Sequence, residues 1–126
     1  MSLTRVELAE SSGLSRASID QLVRFGLISG RFVGDDEYFD EDALVVARLA
    51  AGFQAHGIEA RHLRMYKVAA EREAGLFEQV VMPLVKQREE RSRTVATETV
   101  AELGDLGDRL RAAMLRRALR DLFGPG

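Results

Sequence analysis

The chain has 126 residues, a net charge of −2, 46% apolar and 30% charged residues, and no cysteine. This length suits one domain, or one small domain with a helical extension. Without cysteine the sequence excludes a disulfide framework, a cysteine-based zinc site and a thiol nucleophile. It contains no run of 18 apolar residues, so we expect no membrane-spanning helix and a soluble, cytoplasmic protein.

The charge is divided unevenly along the sequence. Residues 1–57 contain five arginines and nine acidic residues, a net charge of −4, whereas residues 58–126 carry a net charge of +2. Phosphate neutralisation supplies much of the affinity of proteins for DNA, so the acidic first half is a poor nucleic-acid surface as a whole. A local basic surface remains compatible with this balance.

The first residues predict two short helices joined by a turn. Thr4 and Glu7 have the spacing of a capping box, which predicts a helix with Val6, Leu8 and Ala9 on its apolar face and an end at Gly13. Ser15 predicts the N-cap of a second helix. The residues expected to face inward from that second helix are Ile19, Leu22, Val23 and Phe25.

The sequence pattern changes from helical to extended after the second helix. Residues 27–39 read as two short extended pieces around a turn, which predicts a hairpin. Asp40 predicts the N-cap of a third helix. Within that helix, residues 43–53 contain a single charged residue, so we expect it to be buried on more than one side. Gly57 is expected to end it.

The second half predicts helices throughout. Gly75 is expected to be a break or a tolerated kink, and Pro83 is expected to bend its helix. Residues 124–126 are expected to form a frayed tail. The three predicted helical segments are 59–74, 76–91 and 92–123.

The order of these elements is typical of a winged helix-turn-helix, in which a hairpin follows the second helix. We therefore predict a mostly α fold. A degenerate winged helix-turn-helix module over residues 3–57 is followed by a helical region over residues 58–123, which we interpret as a dimerisation or regulatory region.

Short motifs in the same order resemble the MerR-type family of transcriptional regulators. They cover the first helix, the turn, the exit of the recognition helix, the exit of the wing and the step into the fourth helix. The resemblance extends over about half of the chain and implies a DNA-binding winged helix. The matching segments are 3–10 (LTRVELAE), 13–15 (GLS), 25–28 (FGLI), 38–44 (YFDEDAL) and 57–63 (GIEARHL).

Two segments depart from the MerR-type pattern. Where that family carries an Arg-Tyr-Tyr or Arg-Tyr-Trp stretch in its recognition helix, this chain has residues 19–22, IDQL. The wing tip, residues 34–37, reads GDDE instead of carrying arginines. Three consecutive acidic residues would repel the DNA backbone.

A second resemblance removes this conflict. The chain is similar to the second module of FtsR-type actinobacterial regulators, which resemble two MerR-like modules in one chain. The resemblance implies a degenerate winged helix with a helical tail that serves dimerisation or regulation, in a protein longer than this chain. The segments that carry it are 3–9 (LTRVELA), 57–66 (GIEARHLRMY) and 71–76 (EREAGL).

Candidate DNA-binding residues surround the start of the second helix and the wing. A helix N-terminus can contact the DNA backbone through hydroxyl and backbone N–H groups. For Ser15, Arg16 and Ser18 we favour the alternative, in which they form an N-cap and a solvated turn. The candidates are Ser15, Arg16, Ser18, Arg24 and Arg31.

The fourth helical region offers a candidate ligand or partner surface. Three arginines share one helix face, which suits an anionic ligand, a nucleic-acid backbone or an acidic partner, with a solvated face as the alternative we favour. Nearby tyrosine, phenylalanine and methionine side chains could line a small-molecule pocket, with ordinary core as the favoured alternative. These candidates are Arg61, Arg64, Tyr66, Arg72, Phe77 and Met82.

The last predicted helix has two apolar stripes. One runs from Leu103 to Met114, and a second, rotated around the helix, runs from Leu115 to Leu122. Two apolar faces need two surfaces to cover them, so we predict that the first packs on its own domain and the second forms a homodimer interface. The alternative is a helix that folds back on the core of a single chain. The MerR resemblance also implies dimerisation through C-terminal helices. The predicted interface residues are Leu115, Leu119 and Leu122.

No catalytic, cofactor or metal site is predicted. His56 and His62 lack a cysteine partner, and the sequence has no catalytic-triad, phosphate-loop or paired-carboxylate signature. We therefore do not expect an enzyme. The MerR-type and FtsR-type resemblances imply the C-terminal module of a MerR-like regulator, which forms a homodimer and reaches DNA through the full-length protein. The alternatives are a self-contained DNA-binding regulator and a sensor of a small-molecule effector.

Overall fold

A computed structural model describes residues 1–124; the predicted frayed tail at Pro125 and Gly126 lies outside the described residues. The fold is mostly α with one small antiparallel sheet, which confirms the predicted fold class. The chain comprises two compact units, Met1–Glu71 and a second that begins at Arg72. Among the helices of residues 1–124, none is both long enough and apolar enough to cross a membrane.

Five α-helices and two strands form the described part of the chain. A single 3₁₀ turn, Arg120–Phe123, follows the last helix. In chain order the elements are α1 (Arg5–Ser12), α2 (Arg16–Arg24), β1 (Arg31–Val33), β2 (Asp36–Tyr38), α3 (Glu41–Gln54), α4 (Ala60–Lys86) and α5 (Glu90–Leu119).

The predicted caps are present in the first unit. Thr4 Oγ1 accepts a hydrogen bond from the Glu7 N–H at 3.1 Å, and Glu7 Oε1 accepts one from the Thr4 N–H at 2.9 Å. Gly13 ends α1 in the left-handed region with φ 82°, and Gly57 follows α3 with φ 79°. Asp40 caps α3 through its carboxylate. These local hydrogen bonds set the ends of the helices.

The predicted hairpin is the wing. β1 and β2 pair antiparallel, with Phe32 opposite Glu37 and Val33 opposite Asp36. Backbone hydrogen bonds of 2.9 and 2.7 Å between Leu3 and the residue after the wing, Phe39, attach the hairpin base to the N-terminus. The wing therefore has a fixed base and an exposed tip.

A single apolar core stabilises the first unit. Phe39, Leu8, Ile19 and Leu22 are its largest fully buried side chains. The remaining buried members of the core are Leu14, Ile28, Ala43, Leu44, Ala47, Ala50 and Leu63.

Two expectations about burial in this unit are wrong, the first of them only in part. On the predicted apolar face of α1, Leu8 is fully buried and Ala9 is half-buried, whereas Val6 is 52% exposed. The outer face of α3 leaves Val45 and Leu49 49% and 62% exposed. Helix α3 packs through a narrow inner face in which Ala43, Ala47 and Ala50 make up much of the contact. Its apolar composition therefore reflects small inward residues rather than burial on two sides.

The second unit contains the later part of α4 and all of α5. Val81 and Ala96 are buried, and Ser92 donates a hydrogen bond from its hydroxyl to Gln87 beside the connecting turn. At the far end from this turn, Glu73 of α4 pairs with Arg111 of α5 at 3.0 Å. The two segments therefore form an antiparallel helical hairpin.

The helix boundaries in the second half differ from the prediction. Helix α4 runs through Gly75 without a break and contains Pro83, and it ends at Lys86 rather than at residue 91. The turn at 87–89 includes Arg88 with a positive φ of 57°. Charged residues around this turn carry no apolar periodicity, so the sequence pattern could not locate it.

The predicted first stripe of the last helix is covered only at its start. Leu103 is half-buried, whereas Leu106, Leu110 and Met114 are 47%, 59% and 61% exposed. The expectation that this whole stripe packs on its own domain is therefore wrong. All described residues from Asp108 onward are exposed.

Candidate nucleic-acid interface and helical tail

The hydroxyls at the start of α2 are used inside the protein. Ser15 Oγ caps the helix by accepting a hydrogen bond from the Ser18 N–H at 3.1 Å. The same hydroxyl donates to Ser18 Oγ at 3.1 Å, and Ser18 Oγ also accepts a hydrogen bond from Gln54 Nε2 at 2.9 Å. These two predicted DNA-binding residues thus help to join α2 to the end of α3.

Arg5 connects α1, α2 and the wing. Its Nε and Nη2 atoms each donate to the Glu37 carboxylate at 2.9 Å, and its Nη1 atom donates to Asp20 Oδ1 at 2.8 Å. The guanidinium carbon also lies 5.7 Å from the centroid of the Phe39 ring, within the range of a cation–π contact. Sequence reasoning did not identify this cluster, because the three charged residues are 15 and 32 positions apart.

The charges of this cluster stabilise one another. The Arg5 hydrogen bond lowers the pKa of the Asp20 carboxyl below its usual value. The hydrogen bond from Arg5 to Asp20 also raises the pKa of the Arg5 guanidinium, with a smaller opposing effect of burial and further support from Glu37. Arg5, which contacts both the recognition helix α2 and the wing, is therefore neutralised by protein carboxylates instead of being available to phosphates.

The predicted arginines of the DNA-binding face are exposed, and exposed carboxylates on α2 and on the wing offset their charge. Arg16 is 57% exposed and its Nε atom lies 3.6 Å from Asp20 Oδ1. Arg24 and Arg31 are exposed, and no ion pair within residues 1–124 involves either of them. The wing adds exposed carboxylates at Asp35 and Asp36. This surface therefore offers phosphates little net positive charge.

A groove of about 460 Å³ lies between α2 and the corner that joins α3 to α4. Its floor is apolar and includes Leu22 and Ile58, while Ser18, Gln21 and Gln54 add polar groups. Arg61 stands at its rim and its Nε atom lies 3.7 Å from Glu59 Oε2. The size and the mixed lining suit a small molecule.

The predicted ligand or partner surface is divided between the two units. In the first unit, Arg64 is exposed, and the Tyr66 ring lies 5.6 Å from the Phe53 ring between their centroids. In the second unit, Arg72 is exposed, whereas Phe77 and Met82 are half-buried within the helical hairpin. Arg61 alone among these six residues lines the 460 Å³ groove.

His62 has a local structural role. Its Nδ1 atom accepts a hydrogen bond from the Glu59 N–H at 2.9 Å, which satisfies a backbone donor just before α4. Within residues 1–124, no three histidine, cysteine or acidic side chains are grouped closely enough to hold a metal ion.

The end of α5 is both apolar and basic. The predicted interface residues Leu115, Leu119 and Leu122 are 57%, 42% and 72% exposed. Exposed arginines follow the same segment, and three of them have no ion pair among the described residues: Arg116, Arg117 and Arg120. Three exposed leucines within eight residues at the end of α5 and in the 3₁₀ turn after it are typical of an interaction surface.

The chain is similar to a family of protein domains and to two longer proteins. The model of the family described as "Rv1828-like, C-terminal domain" matches residues 1–123. Two curated relatives are each 32% identical to the chain over 121 residues, which is 96% of this chain and 48% of the relative. They are "Uncharacterized HTH-type transcriptional regulator Mb1859" of Mycobacterium bovis and "Uncharacterized HTH-type transcriptional regulator Rv1828" of Mycobacterium tuberculosis. The chain spans about half the length of these relatives.

Proposed function

This chain belongs to the Rv1828-like C-terminal domain family, and from that premise we propose that it is the dimerisation and regulatory module of a MerR-like, FtsR-type transcriptional regulator. In this proposal the winged helix over residues 3–57 does not itself read DNA, and the helical region over residues 58–123 holds two copies together. A different part of the full-length regulator binds DNA. The module has no enzymatic role and acts in the cytoplasm.

The Arg5 cluster is the observation that carries the proposal. A winged helix that reads DNA needs positive charge on its recognition helix and wing. Here Asp20 of α2 and Glu37 of the wing take up the guanidinium of Arg5, and Asp35 and Asp36 leave the wing tip acidic. The shape of a DNA-binding fold is thus combined with a surface that offers phosphates little net positive charge.

The relatives support the regulatory part of the proposal. Their names describe HTH-type transcriptional regulators, and this chain corresponds to about half of their length, 48%. The matching family is described as a C-terminal domain, which agrees with this proposal. A regulator with a DNA-reading N-terminal part and this module at its C-terminus accounts for both facts.

Electrophoretic mobility shift at low ionic strength tests whether the chain binds DNA. We expect the 126-residue chain to leave DNA unshifted even at low salt, where phosphate contacts are strongest. Arg16→Ala combined with Arg24→Ala provides the control. A salt-sensitive shift that this double variant removes would instead support a self-contained DNA-binding regulator.

Multi-angle light scattering tests the dimer. We expect a mass near twice 14.0 kDa and a monomer after Leu115→Glu with Leu119→Glu, because the new charges cannot be buried in an apolar interface. The matched control is Val45→Glu with Leu49→Glu, a pair with the same spacing on α3 and comparable exposure of 49% and 62%. A wild-type chain that stays monomeric at high concentration would refute the dimer.

The groove favours a second candidate function, the binding of a small-molecule effector. It has a volume of about 460 Å³, an apolar floor and several inward polar groups, and it is lined by the predicted ligand residue Arg61. An effector would raise the thermal unfolding temperature in proportion to the logarithm of its concentration above Kd. Gln54→Leu should abolish that shift, since it removes one of the polar groups.

A further inference from the structure

The tail of α5, residues 109–123, is an exposed helix that needs a partner. It contains five arginines and one aspartate, and three of its arginines lack an ion pair among the described residues. Burial of such an apolar face contributes the main driving force of association. Its exposed apolar residues are Leu110, Met114, Leu115, Leu119, Leu122 and Phe123.

The wing complements the tail because it is exposed, apolar and acidic, whereas the tail is exposed, apolar and basic. Phe32 and Val33 of β1 are each 65% exposed, so the wing presents apolar surface next to its acidic tip. Asp35 and Asp36 stand beside them, exposed and without an ion pair among the described residues. Glu37 differs, because Arg5 already neutralises it.

A second copy of the chain supplies both surfaces at once. An apolar, basic helix and an apolar, acidic hairpin match in hydrophobicity and in charge. In a two-fold symmetric dimer, the tail of each copy meets the wing of the other, so the contact is formed twice. Two equivalent contacts also cover both unpartnered surfaces of each copy.

We propose that the α5 tail of one copy docks on the wing of a second copy, and that this reciprocal contact holds the dimer. The proposal rests on the dimerisation function above and names the surfaces that perform it. The apolar side chains Leu115, Leu119 and Phe32 supply the buried surface. Arg116 and Arg117 face Asp35 and Asp36, which sets the register of the tail on the wing.

Two charge-reversal variants test this arrangement. Asp35→Lys with Asp36→Lys reverses the wing, and Arg116→Glu with Arg117→Glu reverses the tail. Each variant alone places like charges in both contacts of its own homodimer, so we expect the dimer dissociation constant to rise by about tenfold or more. Sedimentation velocity over a range of protein concentrations measures this constant.

An equimolar mixture of the two variants is the decisive experiment. In the mixed dimer, the native tail meets the native wing, and the glutamates of the other tail meet the lysines of the other wing. We expect the mixture to form a heterodimer about as tightly as the wild type, although each variant alone dissociates. This recovery also shows that both variants are folded.

Matched reversals at other exposed positions are the controls. Glu98→Lys with Glu102→Lys changes the net charge as the wing reversal does, and Arg91→Glu with Arg93→Glu changes it as the tail reversal does. Both controls should dimerise like the wild type, because these four residues lie on the first half of α5, outside the tail and the wing.

The outcomes separate this proposal from the proposed function. Dimers that persist in both reversal variants, or a mixture no tighter than its components, overturn docking of the tail on the wing of a second copy. If the dimers persist in both charge-reversal variants but the Leu115→Glu, Leu119→Glu variant is monomeric, the tail forms the dimer interface and the wing is not its partner. The dimerisation function then stands. A wild-type monomer at all concentrations overturns both.

Discussion

Replacing Arg5 by methionine should loosen the attachment of the wing and of α2 to α1. Methionine keeps most of the aliphatic length of arginine and removes the guanidinium, so the change isolates the polar contacts. The lost contacts are the two hydrogen bonds of 2.9 Å to Glu37, the one of 2.8 Å to Asp20 and the cation–π contact with Phe39.

The expected cost is about 2 kcal/mol of unfolding free energy. The Arg5 and Glu37 side chains are 22% and 20% exposed, so their two-pronged pair is worth more than a surface ion pair, about 1–2 kcal/mol. A cation–π contact at a partly exposed site adds about 0.5 kcal/mol. The contact with Asp20, which is half-exposed, adds a smaller amount.

Urea denaturation followed by tyrosine fluorescence measures this cost. The two tyrosines, Tyr38 and Tyr66, both lie in the first unit, and the chain has no tryptophan, so the signal reports on that unit. The control is Arg16→Met, because Arg16 also pairs with Asp20 but at 3.6 Å and with 57% exposure. It should leave the unfolding midpoint close to that of the wild type.

A double-mutant cycle completes the test of the Arg5 cluster. Arg5→Met, Glu37→Gln and the double variant together give the coupling energy between the two side chains. We expect about 1–2 kcal/mol. A coupling below about 0.3 kcal/mol, or equal destabilisation by Arg5→Met and Arg16→Met, would refute the idea that this cluster holds the wing.

Four further predictions concern single substitutions. Asp20→Asn should reduce the loss of stability that the protein shows below about pH 4. Arg5 lowers the pKa of Asp20 in the folded state, so the stability that Asp20 contributes is present above its unfolded-state pKa and is lost as the pH falls through its folded-state pKa. Urea unfolding midpoints measured over a range of pH check this. Thr4→Ala should cost about 1 kcal/mol in the same assay, because it removes the cap of α1. Gly104→Ala should stabilise α5 by about 0.5–1 kcal/mol, measured by its helical circular dichroism in urea. Gly107→Ala should gain less, because its new Cβ atom would lie 2.5 Å from a carboxylate oxygen of Glu73.

The elements of the first unit were largely predictable from the sequence. The capping box at Thr4, the caps at Ser15 and Asp40 and the glycine ends at Gly13 and Gly57 all act over three or four residues. Such local hydrogen bonds depend on residue identity and spacing, which the sequence displays directly.

The Arg5 cluster was not predictable in the same way. The sequence revealed the acidic wing and the sparse arginines of α2, but it could not show that Asp20 and Glu37 converge on one guanidinium. That pairing joins three elements, so it depends on how the elements pack.

The sequence by itself determined the order of the elements, their caps and the mismatch between an acidic first half and the shape of a DNA-binding fold. The tertiary structure decided which apolar surfaces are covered: it left Val45 and Leu49 of α3, the wing residue Phe32 and the tail of α5 exposed. The reason is physical, because hydrogen bonds at helix ends are local, whereas burial depends on which surfaces of distant segments meet.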